Sequence, residues 1–471
     1  MGLSTKPIQN FEDCSDNDDE ERSAHRNKYW YAAMLQGRLP NCLFTLLIVV
    51  IAATAFPSLG MGQGILLPWA GSVNQSMGGA GTASPQDAIS AVYWNPAAMS
   101  DMQHSELSAS LGTLFPVLET DSSVGFGAIS GSSDGNAGFA GLPYMGWVQK
   151  LPDPRFTVGL GVAAAAGIKT NYAASTTNPI FFPQSNTPGA PGGFGQLFSE
   201  AEFLQILPSL SYAVNDRLSI GITPTVSIGQ VTVDPFLFGA PDDADGSGQP
   251  RYPSGRGTKL QWGGGVQLST HYKASPCLSF GASLKSPQWF QTFEVTGTDE
   301  IGLPRDLSMD VDLPMIISLG VASTRIQNTL VAVDVRYVDN KNTDGFGPSG
   351  FLPDGSLAGL GWSNQFGINV GVQRYVNDVL TVRGGYFYTS SLLSDAEAML
   401  AVAAPLHYHH GFSGGASIHL THASSFNFAY TYLLENELSG PLLSPAGAMP
   451  GSNVTTRISA HEASFGVVVR Y

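Results

Sequence analysis

After residue 103 the chain alternates apolar and polar residues one for one, in run after run, and this period of two constrains the fold more than any other feature. From 331 to 337, Val331, Val333, Val335 and Tyr337 alternate with Ala332, Asp334 and Arg336. Phe426, Phe428, Tyr430 and Tyr432 alternate with Asn427, Ala429 and Thr431, and the last strand ends on Phe465, Val467, Val469 and Tyr471. Fourteen strands can be read in this way, centred near residues 110, 144, 162, 208, 223, 266, 282, 317, 334, 369, 385, 415, 430 and 463. Their connections alternate too. Tight turns at 152–154, 215–216, 275–276, 327–328, 377–378 and 423–424 take turns with long segments rich in Gly, Pro, Asp and Ser: 116–136, 169–200, 234–257, 298–308, 340–361, 391–405 and 435–455.

An even number of amphipathic strands, with long loops at one end and tight turns and both termini at the other, predicts an all-β fold. The expected architecture is a 14-stranded antiparallel transmembrane β-barrel. One face of each strand can meet lipid, the other a lumen, and closure leaves no backbone group unsatisfied in hydrocarbon. Composition agrees. Only 13% of residues are Asp, Glu, Lys or Arg, too few to clothe an ordinary water-facing surface, and 55 of 471 are Gly. A secreted sandwich or solenoid is the rival fold, but a solenoid needs a fixed repeat period, which is missing. The formal charge of −15 leaves no basic face for nucleic acid.

Residues 42–56 form an apolar run of 15 residues preceded by Arg38, shorter than a membrane-spanning helix needs and suited to a signal-peptide core. Cleavage is expected between Phe56 and Gln63. The acidic stretch from Asp13 to Glu21 is foreign to a signal n-region, which favours Met34 as the true start. The alternative is an uncleaved single-pass anchor. The chain is therefore divided into an extension and signal peptide (1–63), a pre-barrel segment (64–103) and the barrel (104–471).

The pre-barrel segment carries Gly78, Gly79, Ala80, Gly81 and Ala83, then Asp87, Ala88, Ile89 and Ser90, then Tyr93, Trp94, Asn95, Pro96 and Ala97. In this order it resembles the N-terminal hatch of the FadL/TodX family, outer-membrane channels for long-chain fatty acids and other hydrophobic compounds. The hairpin from 207 to 233 and the strand pairs at 313–338 and 365–388 are similar to the family's strands as well. The resemblance implies passive uptake of long-chain fatty acids or related hydrophobic compounds across the outer membrane of a Gram-negative-type bacterium. It also implies periplasmic termini, a monomer in contact with outer-membrane lipids, no cofactor and no enzymatic chemistry. Two departures stand out. Ala165, Ala166 and Gly167 replace the family's Pro-Phe-Gly at the third strand, where the family's wall kinks open sideways, and Tyr471 stands where Phe is usual. Gly159, Gly161 and Gly167 could still permit a bend in that strand.

Such a channel needs an apolar capture surface. Ile180, Phe181, Phe182, Phe194, Leu197 and Phe198 on one long loop, and the helix-like 392–405 with Leu392 and Leu393 on another, are its candidates. A carboxylate would need a lumen cation; Arg383, then Lys285, then Arg336 beside Asp334, lie on the polar phase of their strands. In the hatch, Asn95, Pro96 and Ala97 are expected to fix a turn, and Asp87 and Ser90 to hydrogen-bond it to the wall. Neither a metal site nor a catalytic site is expected. His407, His409 and His410 lack a carboxylate near in sequence, and Asp242, Asp243 and Asp245 are half a calcium loop with Ser254 where Glu is wanted. Two other functions stay open: a general porin for small hydrophilic solutes, and a lipid-acting barrel enzyme using Ser459 and His461.

Overall fold

The computed structural model describes residues 66–185, 192–257 and 259–471. The signal segment, the Met34 start and the cleavage region lie outside the described residues. Fourteen strands make the wall: β1 (Glu106–Val124), β2 (Ala140–Lys150), β3 (Phe156–Tyr172), β4 (Leu197–Ala213), β5 (Leu218–Asp234), β6 (Gln261–Ser275) and β7 (Leu278–Lys285), then β8 (Ile316–Ser323), β9 (Thr329–Val338), β10 (Gln365–Tyr375), β11 (Leu380–Thr389), β12 (His410–Thr421), β13 (Ser424–Gly440) and β14 (Asn453–Arg470). Each pairs antiparallel with the next, and β14 returns to β1 from Arg470 opposite Glu106 to Asn453 opposite Ser123. The sheet is closed. All fourteen predicted centres fall inside these strands, and the six tight turns join them in pairs at one end.

Alternation becomes geometry directly. On β9, Val335 is 45% exposed on the outer wall while its neighbour Asp334 is fully buried in the lumen. Leu111, Ile220, Leu268, Phe366, Phe428 and Phe465 are likewise exposed on the outward phase, where a lipid tail accepts them without penalty.

The wall is uneven in height. β1 and β14 have 19 and 18 residues, β7 and β8 only 8 each. The tall strands run further out than the alternation predicted, because beyond the bilayer both faces are wet and the pattern fades: Glu119 and Asp121 on β1 pair outside with Arg457 of β14. Over the low side a small three-stranded sheet (Ser254–Gly257, Phe293–Thr298 and Pro304–Met309) folds above the mouth.

Among the described residues the ladder is interrupted between β2 and β3, and it skips 207–209 opposite 223–225 between β4 and β5. β2 pairs with β3 only from Lys150 opposite Thr157 to Tyr144 opposite Ala163. Above that level β3 keeps its other neighbour β4, with a register shift between Ala164 and Ala166. The shift lies in the Ala165-Ala166-Gly167 segment where the resemblance puts the family's kink.

Inside the lumen lie two short helices, α1 (Gly71–Gln75) and α2 (Ala88–Trp94), and a 3₁₀ turn (Pro96–Asp101). Asp87 caps α2 by accepting from the Ser90 N–H at 2.8 Å, and Ser90 Oγ accepts from the Asp87 N–H. Glu106 of β1 adds a second carboxylate at the same helix start, accepting from the Ala88 N–H at 2.7 Å. No helix among the described residues is long and apolar enough to cross a membrane.

Candidate functional site

The hatch is held by polar groups reaching in from the wall. Asn95 accepts from the Ala97 N–H and donates to the carbonyls of Thr82 (2.7 Å) and of Thr270 on β6 (3.0 Å). Ala97 is gripped from both sides: its N–H donates to Ser269 Oγ of β6, and its carbonyl accepts from Ser211 Oγ of β4. The Asn-Pro-Ala triplet forms a turn, with Pro96 opening the 3₁₀ segment, and it also fastens the hatch to β4 and β6. Asp87 and Ser90, expected to bond the hatch to the wall, bond each other as the cap of α2, and Glu106 of β1 makes the wall contact there.

Across the lumen, Asp334 Oδ2 accepts from the N–H groups of Gly81 (2.8 Å) and Thr82 (2.9 Å) and from Thr82 Oγ1 (2.8 Å). Arg336 pairs with Asp334 at 3.2 Å, donates to the carbonyls of Pro68 (2.6 Å) and Gly79, and lies 3.4 Å from the centre of the Trp94 ring. Lys285 places its ammonium 3.3 Å from the centre of the Tyr93 ring. Two of the three lumen cations thus end on the hatch. Arg383 donates to Gln373 Oε1 (2.6 Å) and Ser417 Oγ (2.7 Å), and stands two residues toward the tight-turn end from Gly385, where β11 touches Gly78.

Lumen glycines let the hatch come this close. A Cβ on Gly281 would stand 2.0 Å from the Thr82 carbonyl oxygen, and one on Gly385 2.1 Å from the Gly78 nitrogen. Gly146, Gly221, Gly371, Gly415 and Gly466 are crowded by hatch atoms in the same way. Gly159 and Gly161 belong to this set, facing Met99 and Val92 of the hatch below the register shift, and Gly167 follows the shift directly.

Two buried acids that hold the hatch were missed, Glu106 at the start of α2 and Glu462. Glu462 of β14 accepts both its side-chain hydrogen bonds from the Trp69 indole, at 3.0 and 3.1 Å. Its place on the lumen phase of the final strand was the signal available.

Above the hatch the strand ends and loops enclose an apolar cleft of about 540 Å³, open solvent included. Ile168, Val231, Val233, Leu237, Met309, Val311 and Phe346 form much of it, and Phe346 stacks on Trp362 at 4.3 Å. A second cleft of about 300 Å³ shares Leu237, Leu357 and Ala403 with the first. Phe194 and Leu197 from one predicted capture loop meet Met399, Leu400 and Val402 from the other along its lining. Phe181, Leu392 and Leu393 lie buried in the cluster beneath, with Phe181 stacked on Tyr172, while Phe182 and Phe198 are half-buried.

The remaining candidates scatter. His407 Nε2 donates to the Thr456 carbonyl, while His409 and His410 use Nδ1 on the Thr389 carbonyl and the Tyr386 hydroxyl. Asp243 and Asp245 meet Glu300, but Arg251 bridges Asp245 and Glu300. His461 sits on the outer wall between Tyr430 and Tyr432.

Residues 59–471 match the family model described as outer membrane protein transport protein (OMPP1/FadL/TodX). The chain belongs to this family. The FadL/TodX fold appears in solved structures of similar shape: a FadL homologue of Pseudomonas aeruginosa (TM-score 0.65, 15% identity), the Pseudomonas putida toluene transporter TodX (0.62, 14%) and the Ralstonia pickettii toluene transporter TbuX (0.59, 20%). Each alignment covers 86% of this chain and 99% of the other. Among curated proteins none matches the sequence. As a FadL/TodX protein the chain is an outer-membrane channel for hydrophobic compounds.

Proposed function

We propose that this FadL/TodX channel captures its ligand in the twin clefts above the hatch and passes it out beside the small-residue stretch of β3. The observation that carries the reading is the convergence of strand ends and loops on one apolar cleft directly over a lumen filled by the hatch. Water-exposed apolar surface costs free energy, which a hydrophobic ligand relieves by taking the water's place. Between cleft and hatch runs the strap of residues 66–70. Leu66 packs with the upper cluster, the Leu67 N–H donates to the Ala165 carbonyl at the interruption in the wall, and Trp69 reaches Glu462. A ligand leaving the cleft beside Ile168 of β3 meets both the strap and, next to Ala163–Ala166, the unpaired edge between β2 and β3, which supports sideways release. The toluene transporters and the FadL homologue of the same fold support apolar cargo.

The experiment is a titration of the detergent-folded protein with toluene, oleate and a sugar, followed by tryptophan fluorescence, with Trp362 behind the cleft as reporter. Ala403→Phe, which fills the boundary of both clefts, is run beside it. Saturable binding of an apolar ligand, abolished by the substitution and absent for the sugar, is expected. Binding of the sugar in place of either apolar ligand would return the protein to the porin reading.

A further inference from the structure

Resting on that reading of the cleft, we infer that the ligand is an uncharged apolar molecule, and that the mouth selects against free carboxylates. Three observations agree. First, the lining of the larger cleft carries one charged residue, Glu200, and it is an acid. Second, the cation beside it is already neutralised, since Lys169 meets Glu200 at 2.9 Å. A carboxylate entering the cleft would therefore leave water and gain no counter-ion, since the cation there is already taken by Glu200.

Third, the pattern extends over the whole loop end. Arg256 pairs with Asp234, Arg305 with Asp242, Arg251 with Asp245 and Glu300, Lys259 with Glu294, and Arg457 with Glu119, Asp121 and Glu437. Among the described residues only exposed Lys341 is left as a basic side chain of that end without an acidic partner, while Asp299, Asp310, Asp339 and Glu435 add unmatched negative charge. At the tight-turn end, by contrast, Arg217, Arg325 and Arg374 carry no acidic partner among the described residues, while Arg155 pairs with Asp153. The approach to the cleft is thus negative, which lowers the local concentration of anions and leaves neutral molecules untouched.

The lumen cations do not reverse this. Lys285 and Arg336 are covered by Tyr93, Trp94 and the hatch backbone, and Arg383 lies beyond the hatch as seen from the cleft. No carboxylate in the cleft reaches them while the hatch is docked.

The test compares laurate with methyl laurate, which share a chain and differ in charge, at pH 8 and low salt. Methyl laurate is expected to bind saturably, and laurate about tenfold or more weakly, the gap narrowing at high salt as the rim is screened. Glu200→Gln releases Lys169 beside the cleft and is expected to tighten laurate several-fold relative to methyl laurate. Laurate binding as tight as methyl laurate in the wild type would overturn the inference and leave the uptake reading standing. Binding of neither would overturn both.

Discussion

Asp334 shows how much one lumen side chain carries. It is fully buried, accepts three hydrogen bonds from the turn at Gly81 and Thr82, and neutralises Arg336. Removing one partner of a buried pair costs about 3–5 kcal/mol, because the other charge is left unmatched. Asp334→Asn is therefore expected to loosen the hatch: small-ion conductance in planar bilayers should rise, while the heat-resistant folded band on a gel persists. A silent conductance trace would show that the pair does not hold the hatch. A pH effect belongs to this scale too. Burial pushes the imidazole of His407, in the loop before β12, down to about 4. Its neutral form suits the folded loop, whereas an opened loop takes up a proton near the ordinary value of about 6.5. The stability of the closed loop is thus full above about 6.5 and declines as pH falls toward 4, by up to about 3 kcal/mol. Protease nicking of residues 390–409 should increase over that interval, and His407→Gln should flatten the dependence.

Elements were far more legible than contacts. Alternation places every strand because one face of each must meet lipid, and the alternation of tight and long connections tells on which side of the barrel each connection lies, though not how far β1, β13 and β14 run into the loop side. What it could not show is where a lumen side chain ends. Arg336 and Lys285 were legible as inward cations, but their partners are carbonyls and rings of a segment some 190 or more residues earlier, and no periodicity encodes such a meeting. The glycines were read as permissive backbone, whereas most of the inward ones mark where the hatch touches the wall. β11 offers a matched test. Gly385 faces the hatch, with a Cβ 2.1 Å from Gly78, while adjacent Gly384 faces outward with nothing nearer than 4.0 Å. Gly385→Ala should cost about 1–3 kcal/mol by overpacking and raise ion leak or protease access to the hatch. Gly384→Ala should do neither, and equal effects from the pair would refute the close-approach account.

For the molecule as a whole, closure and plugging rest on different bonds. The barrel is closed by backbone ladders from β1 round to β14, none of which uses the hatch. The hatch is held by side chains, among them Asp334, Ser269, Glu106 and Glu462, that water could satisfy in its place. Removing residues 64–102 should therefore leave a folded barrel whose lumen, lined by Ser, Thr, Asn, Gln and the exposed glycines, fills with water. The buried ion pair and Lys285 would then be hydrated, so their loss of partners costs little. The deletion is expected to fold, to melt at a lower temperature than the full chain, and to conduct small ions in planar bilayers well above the wild-type level. Selective capture should survive in part, since the clefts are built by the loops and strand ends. If conductance were unchanged the segment would not be the plug, and if the barrel failed to fold the hatch would be a nucleus for the wall.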